Sequence, residues 1–214
     1  MNKVIIFGIN DFAELAHYYL TNDSDYEVVA FCVNKQYLPE NNLFKGLPVV
    51  SFEEVHLMHS NKEYLFFAPM APNDMNRLRE KVYLEIKEKG YQLISYVSSK
   101  ATVLTKKIGE NCFILEDNTI QPFVEIGNNV VLWSGNHIGH HSVIDSHVTF
   151  TSQVVLSGHC HVESYSVLGV NATIRDGIKI SEGTFVGMAA AITKDTEPWM
   201  VYVGNPAKPI KKSI

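Results

Sequence analysis

Apolar residues occupy every sixth position from Ile108 to Ile192 without an insertion. They are Ile108, Ile114, Ile120, Ile126, Leu132, Ile138, Ile144, Phe150, Leu156, Val162, Leu168, Ile174, Ile180, Val186 and Ile192. Neither the 3.6-residue period of a helix nor the two-residue period of a flat strand yields that spacing. Four residues after each comes a second set of slim side chains: Cys112, Asn118, Val124, Val130, Asn136, Ser142, Val148, Val154, Cys160, Ser166, Ala172, Ile178, Thr184 and Ala190. Six residues make one side of a triangular coil and eighteen make a turn, so residues eighteen apart stack. One coil cannot bury its own apolar side chains, and each depends on its neighbours. Each buried aliphatic side chain contributes roughly 1.5–3 kcal/mol. The period predicts a parallel β-helix of about five coils.

Residues 3–96 instead alternate short apolar strands (4–7, 28–32, 64–68 and 93–97) with helical patterns (11–21, 51–58 and 73–89), the order of a small α/β domain with a parallel sheet. Asn10 and Ser51 are read as helix caps. In such domains the ligand crevice lies beyond the carboxyl ends of the strands, where a helix N-terminus favours phosphate. Those ends carry Gly8, Ile9 and Asn10, then Val33, Asn34 and Lys35, then the loop from Pro69 to Asn76. GINDFA lacks the middle glycines of a dinucleotide loop, so Gly8 serves either a strand-to-helix turn or a mononucleotide site. The expected division is 1–97, 98–195 and a tail at 196–214.

Composition narrows the classes. The 46% hydrophobic and 19% charged content is that of a globular chain, and a net charge of −5 without a long basic run argues against nucleic acid. No apolar stretch approaches a membrane span or a signal segment, which predicts a cytoplasmic protein. Cys32, Cys112 and Cys160 cannot all pair and are read as packing residues.

Six of nine histidines fall between residues 137 and 161: His137, His140, His141, His147, His159 and His161. Outward positions on a β-helix are ordinarily solvated, and most of these histidines need no other explanation. His140 differs, because Gly158 lies eighteen residues on and so one coil above. Acyl transfer needs a base for the nucleophile's proton and an N–H for the oxyanion. An imidazole and a glycine amide supply them.

These motifs together resemble the bacterial nucleotide-amino-sugar N-acyltransferases, which join a Rossmann-like N-terminal domain to a left-handed parallel β-helix. The resemblance rests on the unbroken array, IGHHSVI at 138–144, LSGHCHV at 156–162, LGVNATIRDG at 168–177 and VYVGNPAK at 201–208. It implies acetyl-CoA or another acyl-CoA as co-substrate and a UDP- or dTDP-linked 3- or 4-amino sugar as acceptor, in surface-glycan synthesis. It further implies a homotrimer with CoA between subunits and no metal. By this resemblance His140 is the catalytic base and Gly158 the oxyanion donor. Gly158, Gly187, Ala189, Lys194 and Lys208 then line the CoA groove, while Gly8, Asn10, Asn34 and Asn76 hold the nucleotide.

Two departures stand out. The glutamate that follows the family's histidine is His141 here, and a second histidine is not expected to stabilise imidazolium. Asp145 and Asp176 are the carboxylates that coil position offers instead. The acidic pair after the second strand is Val33 and Asn34. Competing readings are a sugar O-acetyltransferase, a non-catalytic nucleotide-binding trimer, and a zinc site using the stacked His141 and His159, as in the γ-class carbonic anhydrases, whose paired-histidine spacing is absent here.

Overall fold

The computed structural model describes residues 2–214. Strand β1 (Asn2–Phe7) turns at Gly8 into helix α1 (Asp11–Asn22), and β2 (Tyr26–Val33) returns parallel to β1. The helix starts where it does because the Asn10 side chain accepts a hydrogen bond from Ala13 N at 3.2 Å. Ala13, Ala16 and Leu20, spaced along one helical face, bury it against the sheet. There follow β3 (Leu43–Phe44), β4 (Leu47–Ser51), the single turn α2 (Val55–Met58), β5 (Tyr64–Phe67) and α3 (Arg77–Glu88). The sheet order is β3-β4-β2-β1-β5, parallel except for the β3–β4 hairpin.

The structure corrects three local expectations. Ser51 is no helix cap. It ends β4, a strand hidden in the sequence by Pro48, and its hydroxyl donates to Glu53 at 2.6 Å. Segment 73–89 becomes helical only from Arg77, because Asp74, Met75 and Asn76 hold left-handed φ of 49°, 49° and 68°. The expected strand at 93–97 divides. Leu93 makes one bridge to Phe66 of the α/β sheet, whereas Tyr96–Val97 pairs with Phe113–Ile114 and forms the first rung of the next unit.

That unit is a parallel β-helix. Two-residue rungs pair eighteen residues apart, as in Phe113↔Val131, Val131↔Thr149 and Thr149↔Val167, and build sheets of four, eight and six strands. The periodic residues from Ile114 to Ile192 are all buried, and Ile108 at the open end packs partly buried against them. The slim set is buried too, and its polar members hydrogen-bond within the coils, although Asn118 Oδ1 has no partner among the described residues. Asn118 Nδ2, for example, donates to Leu115 O and Trp133 O, each at 2.9 Å. Met200–Val203 then extends the eight-stranded sheet, and Lys208–Lys212 closes it as an antiparallel edge.

The α/β unit sits on the outer face of that eight-stranded sheet. Phe113, Leu115 and Val131 share one core with Val4, Ile6, Phe67 and Tyr96. Arg79 is fully buried at the junction, where Nη1 donates to Met70 O and Thr149 Oγ1 and Nη2 donates to Asn129 O, all at 3.0 Å. All three cysteines are free and buried, and among the described residues no helix is long and apolar enough to cross a membrane.

Candidate active site

Rung pairing fixes one outward column. His137–Ile138 pairs with Val155–Leu156, then Thr173–Ile174, then Ala191–Ile192. Residues 140, 158, 176 and 194 therefore stack: His140, Gly158, Asp176 and Lys194. The His140 backbone is tied on both sides, its N–H donating to Gln121 Oε1 and its carbonyl accepting from His159 N, each at 2.9 Å. Its exposed imidazole lies across Gly158. A Cβ built on Gly158 would stand 2.9 Å from His140 Cε1, 3.0 Å from Nε2 and 3.1 Å from Asp176 Oδ1.

Gly158 is buried, yet among the described residues its N–H finds no acceptor, while its carbonyl accepts from Gly177 N at 2.9 Å. What sets this amide apart from other corner N–H groups is the imidazole edge beside it, a pairing that leaves a donor and a ring nitrogen facing one space. Gly139 permits this approach, since a Cβ there would come 2.5 Å from Gly158 N.

The two carboxylates separate. Asp145 is 3.1 Å from His161 Nε2 and belongs to that pair. Asp176 shares the His140 column and faces the ring across the space over Gly158.

A second column flanks the first. Phe123, His141 and His159 occupy left-handed corner positions with φ of 67°, 58° and 55°. Their rings form a stack, 4.6 Å from Phe123 to His141 and 5.0 Å from His141 to His159, the latter pair tilted by only 12°. His140 stands edge-on to both histidines, and its Nδ1 lies 3.1 Å from His141 Nδ1. Sequence spacing stacked His141 on His159, but did not bring in His140 or Phe123. Ligand atoms of the three histidines lie within 4.8 Å of one another. Zinc–nitrogen bonds of 2.0–2.1 Å imply donors about 3.4 Å apart. Near-parallel rings do not converge on such an ion without leaving their stack.

The remaining expected residues are placed as follows. Gly187 is buried, and a Cβ there would meet Val203 Cγ1 at 2.9 Å, so its smallness serves the tail strand. Ala189 is an exposed corner with φ 55°, and Lys194 and Lys208 are exposed. Gly8, Asn10 and Asn34 together line a crevice of about 700 Å³ at the carboxyl ends of β1 and β2. Asn76 is the correction, because it does not reach the crevice. It is fully buried, its Nδ2 directed at Ser166 O at 3.3 Å and its Oδ1 accepting from Thr149 Oγ1 at 2.7 Å, and so docks the two units.

The crevice also holds Tyr37, Glu53, Lys81 and Glu85, which sequence reasoning did not single out. Glu53 accepts from Ser51 Oγ and from Lys35 N at 2.9 Å, and the Ser51 bond leads in holding its carboxyl below the usual range. The carboxylate missing at Val33 and Asn34 is thus delivered to the same loop from the end of β4.

A coiled hexapeptide array carrying an imidazole beside an unpaired amide, with an α/β unit packed on its side, is the architecture of this chain. The model for bacterial transferase hexapeptide (six repeats) matches residues 105–140. The acyl-[acyl-carrier-protein]–UDP-N-acetylglucosamine O-acyltransferase of Pseudomonas aeruginosa is 34% identical over 92 residues, 42% of this chain and 36% of that protein. The chain therefore spans less than half the length of such curated relatives. Solved structures match end to end. PerB from Caulobacter crescentus, in complex with CoA and GDP-perosamine, superposes with a TM-score of 0.83 at 21% identity, over 98% of both chains. The acetyltransferase domain of PglB from Neisseria gonorrhoeae, in complex with acetyl coenzyme A, gives 0.83 at 19% identity, over 98% of this chain and 99% of that one. WeeI from Acinetobacter baumannii gives 0.79 at 22% identity, over 97% and 99%.

Proposed function

We propose that this chain is an acyl-CoA-dependent N-acyltransferase acting on the amino group of a nucleotide-linked amino-deoxy sugar. The observation that carries the reading is the His140 imidazole lying over Gly158, whose amide is unpaired. In the proposed division, residues 2–95 form a Rossmann-like unit that holds the nucleotide at Gly8, Asn10 and Asn34, the boundary moved from 97 by the Tyr96–Val97 rung. Residues 96–195 form a left-handed β-helix that carries out transfer, with 196–214 as the tail. Acyl-CoA lies along Gly158, Gly187, Ala189, Lys194 and Lys208, between copies of a cytoplasmic homotrimer. No metal enters the chemistry.

The sugar amine attacks the thioester carbon, and a C–N bond forms as the carbonyl π pair moves onto oxygen. Gly158 N–H donates to that oxyanion. His140 Nε2 takes the proton from nitrogen. Collapse re-forms the carbonyl and breaks C–S, and the same Nε2–H protonates the departing thiolate. Amide and CoA thiol are the products, and His140 is returned neutral.

Mass spectrometry of the protein with acetyl-CoA and a panel of UDP-, dTDP- and GDP-linked 3- and 4-amino sugars tests the reading. The expected result is one acetylated sugar with stoichiometric free CoA. Product with hydroxyl acceptors alone, or no binding of CoA, overturns it.

A further inference from the structure

The position after the catalytic imidazole holds His141, whose role the proposed reaction leaves open. We infer that His141 is a positioning residue that accepts the Nδ1–H of His140 and so fixes the tautomer in which His140 Nε2 is free to take the amine proton. This rests on the acyl transfer proposed above.

Two Nδ1 atoms 3.1 Å apart can share only one hydrogen between them. If His140 supplies it, the second nitrogen of that ring carries a lone pair, and that nitrogen is the one at the Gly158 edge. If His141 supplied it, His140 Nε2 would carry hydrogen and be useless as a base. An incoming amine, which donates its own N–H to Nε2, is accepted only in the first arrangement. His141 is held to this duty from both faces by Phe123 and His159, on a corner whose N–H is directed at Pro122 O at 3.4 Å. A neutral acceptor sets ring orientation and tautomer without adding negative charge. The second histidine thus orients the base, contrary to the expectation that it could only oppose it.

Three variants of the full chain separate acceptor from stack. His141→Asn keeps an acceptor and suits the left-handed corner, where Asn is tolerated. His141→Phe keeps an aromatic ring in the stack and removes the acceptor, and Phe123 at φ 67° already occupies the equivalent corner one coil below. His141→Glu supplies an anionic acceptor. Against a cognate amino sugar, kcat/KM is expected to fall about 10²-fold in His141→Phe and to stay within about tenfold of wild type in His141→Asn. In His141→Glu the acid limb of the pH profile moves to higher pH, because an adjacent carboxylate favours imidazolium. The titratable groups facing that base are His159 from the coil above and Asp176 from two coils above. Retained activity in His141→Phe, equal losses in the Phe and Asn variants, or an unmoved acid limb in His141→Glu overturns the assignment.

Imidazole nitrogen NMR on histidine-labelled protein reads the tautomer without turnover. Nδ1–H on His140 in the wild type, lost in His141→Phe, supports the role. Nε2–H in the wild type sinks it. Were the wild type to acylate no amine at all, the reaction would be wrong, while the tautomer would still decide for or against His141.

Discussion

Gly158 is required for space rather than for conformation, because its φ lies outside the left-handed region. Gly158→Ala therefore strains no backbone, and its methyl meets His140 Cε1 and Nε2 and Asp176 Oδ1 at 2.9–3.1 Å. The ring is the movable partner and is expected to swing aside. A displacement of about 1 Å in a reacting group costs on the order of 10²-fold. We expect kcat/KM to fall by about that much while the melting temperature stays within about 2 °C, as measured by initial rates and calorimetry. Gly139→Ala is expected to behave differently, since its methyl would come 2.5 Å from the backbone N of Gly158, which no rotamer relieves. Overpacking of this kind costs about 1–3 kcal/mol, so Gly139→Ala should lose stability together with activity. Removal of the proposed base in His140→Ala should cost about 10²–10⁴-fold in kcat/KM with the fold intact.

Helix α3 works at the scale of elements, because its buried side chains hold the α/β unit against the β-helix. Arg79 has no carboxylate partner, its Nε has no acceptor, and burial draws its pKa down to about 9. It persists by serving carbonyls from both units. Among the described residues Met70 O and Asn129 O receive no other hydrogen bond. Arg79→Met fills much of the volume but strands both acceptors, at about 1–3 kcal/mol for each unsatisfied group. The urea midpoint should fall by an amount equivalent to about 2–4 kcal/mol, and Arg79→Lys should recover only part, because one ammonium cannot reproduce the planar fork. A midpoint at or above wild type in Arg79→Met would mean that desolvation of the charge outweighs its hydrogen bonds. None of this is legible in the sequence. RLREKVYLEIKE reads as a charged amphipathic helix whose Val82, Tyr83 and Ile86 stripe continues one turn back to position 79, but the distant carbonyls that hold a buried arginine there do not show in its spacing. Asn76 was misread for the same reason. It lies in a loop at a strand end, where a ligand residue is expected, and only the docked β-helix explains its burial.

For the whole molecule, the β-helix was legible almost residue by residue because each turn repeats the same inward pair, and an eighteen-residue offset converts directly into contact. His140 under Gly158 followed from that arithmetic alone. The α/β sheet was less legible, since two- to five-residue strands such as β3 and β4 carry too few positions for a period to show. The seam between the units was not legible, and one of its histidines joins two others in the response of folding to acid. His17, His59 and His147 all have pKa values lowered from 6.5, with burial the largest cause in each. His147 faces Glu80 at 3.4 Å and Asn129 Nδ2 at 2.9 Å, and Arg79 opposes its protonation while Glu80 favours it. A base with a lowered folded pKa binds more protons when unfolded. Its contribution is complete above the unfolded value near 6.5 and is lost as pH falls through the folded one. Carboxylates such as Glu53, Glu116 and Glu163, lowered from 4.5, begin to act only below that value. Between pH 7.5 and 5, therefore, stability should decline as pH falls, and histidines should account for the slope. Urea unfolding at several pH values in this window measures it. His147→Asn should flatten the decline, and a midpoint that rises on acidification would show that Glu80 outweighs burial at the seam.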